Sequence, residues 1–114
     1  MTNNYDKNKY HNTKTEFGGI VFDSKKECSR FQELLMLQNA GIISDLQRQV
    51  KFEIVPKTQT ERAAFYVADF VYKKADGKMI CEDVKSAMTR KLPLYILKRK
   101  LMKFRYPDYQ FLES

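Results

Sequence analysis

Tryptophan is absent from this chain, histidine occurs once, cysteine twice and proline three times, and each scarcity excludes a class of chemistry. The single histidine, His11, sits in a polar N-terminal stretch, which argues against a Ser-His-Asp triad, a multi-histidine metal centre or a histidine-based ribonuclease. Cys28 and Cys81 lack the paired short spacings of a zinc site and lie within apolar patterns, so they are expected to be buried, reduced thiols. Long hydrophobic runs are missing too. Apolar stretches such as Ile42-Ile43 and Leu94 to Leu97 fall far short of a bilayer span, and no apolar segment follows the polar start as in a signal peptide. The expectation is a cytoplasmic protein without a membrane partner or small-molecule cofactor, whose chemistry must rest on carboxylates and lysines.

A length of 114 residues leaves room for one domain. Residues 1 to 16 are polar and aperiodic and are expected to form a flexible arm, with a single domain over 17 to 114. Charge is distributed unevenly. Between Ser86 and Tyr106 there are seven basic residues, Arg90, Lys91, Lys98, Arg99, Lys100, Lys103 and Arg105, and no acidic one, so this segment accounts for the whole net charge of +7. Such clustering suits a phosphate-backbone binder, and equally a solvated basic helix face.

The elements follow from periodicity. Gly18-Gly19 marks a turn, and Ser24 with Glu27 spells an S-x-x-E capping box opening a helix from about Lys25 to Asn39 that stops at Gly41. Cys28, Phe31, Leu34 and Leu35 form its apolar stripe, and Glu27 falls near the middle of that stripe. Either the capping box explains this carboxylate or the helix end points an acid into a site. From Leu46 the pattern turns to period two, with Val50, Phe52 and Ile54 alternating with Lys51, Glu53 and Val55. Phe65 to Tyr72, rich in aromatic and β-branched residues, makes the strongest strand, and Asp76-Gly77 returns the chain as a hairpin into Met79 to Lys85. After a mobile loop at AMTRK, a second helix runs from about Pro93 to Arg105. Leu94, Leu97, Leu101 and Phe104 are expected to share its core face, flanked or opposed by Lys98, Arg99, Lys103 and Arg105. Tyr109 to Leu112 can add a last strand.

Alternation along a strand puts Asp83 and Lys85 on one face and Glu82 on the other, and the hairpin brings Asp69 across from Asp83. Two carboxylates and a lysine then converge. Paired carboxylates can hold magnesium for phosphodiester hydrolysis, and the lysine can orient water, stabilise charge on the phosphate or accept a proton. The bland alternative is a pair of strand-edge acids salt-bridged to Lys85.

These residues resemble a known pattern. Asp69, a hairpin, and Asp83-Val84-Lys85 look like the D…(D/E)-x-K motif of the PD-(D/E)XK, restriction-endonuclease-like superfamily, with Ala68 in place of the proline that names it. The longer pattern GGIVFDSKKE, AGIISDLQRQVKFEI, YVADFVY and ICEDVKS is similar, over roughly residues 9 to 112, to small phage and prophage proteins assigned to that superfamily. The resemblance implies an α/β (α+β) fold with an αβββαβ core, its central mixed sheet flanked by helices. It implies a Mg2+-dependent endodeoxyribonuclease, with Mn2+ as substitute, in which Asp69, Asp83 and Glu27 hold the metal and Lys85 is catalytic. Gln49 matches a recurrent glutamine that would position substrate or water. Members resemble phage Holliday-junction resolvases and transposase endonuclease subunits, which implies branched or junction DNA as substrate in phage recombination within a bacterial host. Arg90, Lys91, Lys98, Arg99, Lys103 and Arg105 would grip the DNA, and a homodimer is the natural way to cut two strands. The competing expectations are a non-catalytic nucleic-acid- or protein-binding regulator that keeps the fold, and an accessory subunit that needs a partner.

Overall fold

Two adjacent glycines in left-handed conformation, Gly18 at φ 59 and Gly19 at φ 83, turn the chain between β1 (Thr15–Phe17) and β2 (Ile20–Phe22), an antiparallel ribbon. The computed structural model describes residues 13–114. The expected N-terminal arm therefore lies outside the described residues up to residue 12, and its predicted end is corrected: Thr15 and Glu16 belong to β1.

Helix α1 (Lys25–Asn39) begins as its sequence predicts, with the Ser24 hydroxyl accepting from the Glu27 amide at 3.1 Å. It buries Cys28, Phe31 and Leu34. Strands β3 (Ile43–Val55), β4 (Ala64–Lys74) and β5 (Met79–Asp83) form an antiparallel meander, and α2 (Pro93–Arg105) returns the chain so that β6 (Tyr109–Glu113) lies parallel to β5. The sheet order is β3-β4-β5-β6. The αβββαβ order and the mixed sheet expected from the sequence are both present, preceded by the small β1–β2 ribbon. The β4–β5 turn is built as the Asp76-Gly77 pair demands, with Gly77 at φ 89 and the Asp76 carboxylate accepting from the Lys78 amide. Residues Thr89–Lys91, expected to be a mobile loop, form a 3-10 turn whose start is held by the Ser86 hydroxyl accepting from the Thr89 amide.

A hydrophobic cluster lies on each face of the sheet. On the α1 side Phe22, Phe31 and Leu34 pack with Phe70, Tyr72 and Ile80. On the other side Met102 of α2 packs with Phe52, Ile54, Tyr66, Ala68 and Cys81. The two cysteines are free and buried, one in each cluster.

Two features depart from simple alternation. In β4, Ala68 joins the α2-side cluster and Phe70, two residues on, joins the α1-side cluster, although a regular strand would keep both on one face. Their β3 partners, Val50 and Arg48, divide in the same way: Val50 packs with the α2 side and Arg48 lies 4.5 Å above the Phe22 ring. The sheet changes faces between them, at Asp69 and at Gln49, whose φ is 52. One left-handed residue reverses the pleat, a conformation that costs a non-glycine residue about 1 kcal/mol.

The second departure corrects the predicted core face of α2. Leu94, Leu97 and Phe104 are 64%, 55% and 79% exposed, whereas Leu101 packs against the α2-side cluster as expected and Met102 is 1% exposed. The inward face is chosen by side chains that combine an apolar body with a polar tip. Tyr95 hydrogen-bonds to Glu113, Arg99 pairs with Glu113 at 3.3 Å, and Arg105 donates to the Ile54 carbonyl at 3.2 Å. These tie α2 to β6 and β3 and leave the leucine ridge outward. Among the described residues no helix is long and apolar enough to cross a membrane.

Candidate functional site

The β4–β5 ladder ends at the pair Phe70 and Glu82. Beyond it, side chains replace backbone partners. The Asp69 amide donates to Asp83 Oδ1 at 3.2 Å, and the Val84 amide donates to Asp69 Oδ2 at 2.8 Å. This reciprocal exchange fixes both carboxylates at the sheet end. Lys85, just past the end of β5, places its Nζ 3.4 Å from Asp69 Oδ2 and 3.5 Å from Asp83 Oδ1. The three residues singled out by strand period therefore meet.

The face change at Asp69 brings in a fourth and a fifth. Its second oxygen, Oδ1, accepts from Gln49 Nε2 at 3.4 Å, and the same amide nitrogen donates to Glu27 Oε2 at 3.3 Å. Gln49 thus bridges an acid from the first turn of α1 to an acid of the sheet. Between the two sequence readings of Glu27, the amide of the residue serves the Ser24 cap while its carboxylate faces the site. Arg48 Nη2, unforeseen from the sequence, stands 3.8 Å from Glu27 Oε2.

Burial decides the charge states. Desolvation, reinforced by the neighbouring Asp69 and Asp23 carboxylates, pushes Glu27 up to about 7 despite Arg48 and Lys85. Burial also raises Asp83, against the pull of Lys85 and the Asp69 amide. For Lys85 burial works against the charge, but Asp83 and Asp69 outweigh it and hold the ammonium above its ordinary value. Asp83 Oδ2 is buried with no hydrogen-bond partner, an unsatisfied acceptor of the kind that binding sites tolerate.

A cavity of about 250 Å³ opens over this cluster, lined by Ser24, Lys26, Glu27, Asp69, Lys85 and Thr89 among others. Lys26 Nζ donates to the Lys85 carbonyl at 3.3 Å and closes one rim. Asp83 stands behind this lining, fully buried. Among the described residues no three His, Cys, Asp or Glu side chains form a ready-made metal cage. Gln49 and Lys85 stand among the acids instead.

The predicted nucleic-acid residues are dispersed in role. Arg90 Nη2 donates to the Ser114 carbonyl at 3.1 Å, Arg99 pairs with Glu113, and Arg105 bonds Ile54. Lys103 lies 5.0 Å above the Phe111 ring. Lys91 is exposed and Lys98 half-buried. The sequence did not reveal the Glu82 network. That fully buried carboxylate takes bonds from Arg30 Nε at 2.6 Å and Nη2 at 3.1 Å, from Tyr72 at 2.6 Å and from Ser114 Oγ at 2.7 Å. Burial opposes its charge, but the bonds from Arg30, Tyr72 and Ser114 outweigh that and hold it below its ordinary value. An acid inside the apolar run Met79 to Val84 was the one available signal.

Fold and site together define a mixed α+β domain carrying a cluster of acids and a lysine at one end of its sheet. The chain belongs to the family described as Protein of unknown function (DUF1064), whose model matches residues 7–112. No curated protein and no solved structure matches it.

Proposed function

We propose that the chain is a divalent-cation-dependent endonuclease that hydrolyses phosphodiester bonds in DNA. One observation carries this reading: Lys85 Nζ stands between Asp69 Oδ2 and Asp83 Oδ1 beside a cavity that also admits the Glu27 carboxylate. The donor set fits Mg2+ or Mn2+. It is made of hard carboxylate oxygens, one of them buried and unsatisfied, and magnesium is commonly held by one or two carboxylates with water and substrate phosphate completing its shell. Asp69 and Asp83 would hold the ion and Glu27 would join them. When bound, it would activate water and offset charge on the phosphate.

The chain's own groups supply the rest. Lys85, kept as an ammonium by two carboxylates, acts on phosphate charge and not as a base. Before the ion binds, Glu27 is raised to about 7 and can hold a proton at its carboxylate, which it would release on joining the ion. Gln49 fixes the spacing between Glu27 and Asp69. The resemblance to the PD-(D/E)XK superfamily supports the same reading.

The test is cleavage of labelled junction, flap and linear duplex DNA with magnesium or manganese, against a chelator control. Asp83→Asn and Lys85→Ala are expected to abolish cutting while DNA binding persists. A second reading is favoured by the engagement of Lys85 in two ion pairs, with Asp69 and with Asp83. On that reading the cluster is structural and the domain binds nucleic acid without cutting it, so no lane shows product.

A further inference from the structure

The outward ridge of α2 deepens the nuclease reading, on which its biological sense rests, by naming the part of a substrate that it fits. Leu97 and Phe104 lie two helical turns apart on one line, with Leu94 beside them. All three are more than half exposed. Lys91 and Lys100 are exposed on the same helix or its lead-in, and no acidic residue occurs between Ser86 and Tyr106. Phosphate rails of a duplex would dehydrate Leu97 and Phe104 without offering them an apolar partner. A strand with unpaired bases satisfies both features, with base faces on the ridge and phosphates on the lysines. The helix also begins at the site, since the Tyr95 ring lies 5.9 Å from Lys85 Nζ.

We propose that the Leu94, Leu97 and Phe104 ridge of α2 is a platform for unpaired nucleic-acid bases, with Lys91 and Lys100 taking the flanking phosphates.

The test uses the full chain with chelator present, a fluorescent oligothymidylate and a blunt duplex of equal length, read by anisotropy across a salt series, with sedimentation in parallel. The single strand is expected to bind about tenfold more tightly, the effect of one stacked base. Leu97→Ala and Phe104→Ala, both at exposed positions, should erase that preference while leaving duplex affinity unchanged. Lys100→Ala should weaken both probes and flatten the salt dependence. Equal affinity for the two probes, a preference that survives both alanine variants, or a dimer that Leu97→Glu dissolves would each overturn the proposal. A single-strand preference in a chain that cuts nothing with magnesium supports the platform and sinks the nuclease reading. Cleavage with no such preference does the reverse.

Discussion

Gln49 and Asp69 face each other at the point where β3 and β4 change sides of the sheet, with Gln49 Nε2 3.4 Å from Asp69 Oδ1. This relationship explains how one cluster draws Glu27 from the α1 side and Lys85 from beyond β5. Asp69 sits where the faces meet, so one oxygen turns to each. The left-handed φ of 52 at Gln49 is the conformational cost of that arrangement. Gln49→Gly should relieve about 1 kcal/mol of it, so thermal unfolding should rise or hold while cleavage falls at least about tenfold for want of the amide. Loss of stability together with unchanged cleavage would show that the glutamine is a structural residue only.

Glu27 makes the stability of the cation-free chain depend on pH. Its carboxyl is raised from 4.5 to about 7 on folding, so the protonated form favours the folded state. That contribution is whole below pH 4.5 and disappears as the pH climbs through about 7; over this window it amounts to roughly 3 kcal/mol. Asp83 shifts in the same direction. Unfolding by denaturant across this window should show the decline in wild type and a flatter profile in Glu27→Gln. Added manganese should stabilise wild type more at the alkaline end, where Glu27 has lost its proton.

Asp69, Asp83 and Lys85 were legible in the sequence because two rules suffice to place them: side chains alternate along a strand, and Asp76-Gly77 closes a tight hairpin. Glu27 was legible as an acid misplaced in an apolar stripe. Gln49 entered only through resemblance, since the period-two argument assumes extended backbone throughout and a single left-handed residue voids it. The Arg30–Glu82 pair joins residues 52 apart, and no local pattern encodes that distance. Helical spacing does not encode the facing of α2, for a different reason. Its leucines recur at helical spacing, but the inward face was decided by where Glu113 and Ile54 stand in the folded sheet.

Arg30→Ala should be among the most damaging changes far from the cavity. It would leave the fully buried Glu82 carboxylate with only Tyr72 and Ser114 as donors, and removal of one partner from a buried pair costs about 3 kcal/mol. Adding Glu82→Gln should recover part of the loss by removing the uncompensated charge. A double mutant no more stable than Arg30→Ala would mean that packing of the arginine stem carries the effect. Because Glu82 is lowered below its ordinary 4.5, its contribution is present above that pH and is lost under acid. With Arg30, the strongest cause of that lowering, removed, the stability gap between wild type and Arg30→Ala should narrow as the pH falls below about 4.5.

Orientation of α2 can be checked without any ligand. Met102 fills the cluster against Cys81 and Phe52, so Met102→Ala should cost about 2 to 4 kcal/mol through the cavity that it leaves. Leu97→Ala and Phe104→Ala remove side chains that face outward and should each change stability by less than about 0.5 kcal/mol. The leucine-core arrangement expected from helical spacing inverts this order, with Leu97 costly and Met102 cheap. Denaturant midpoints of the three variants, measured with unchanged m-values, therefore decide between the two facings of the helix.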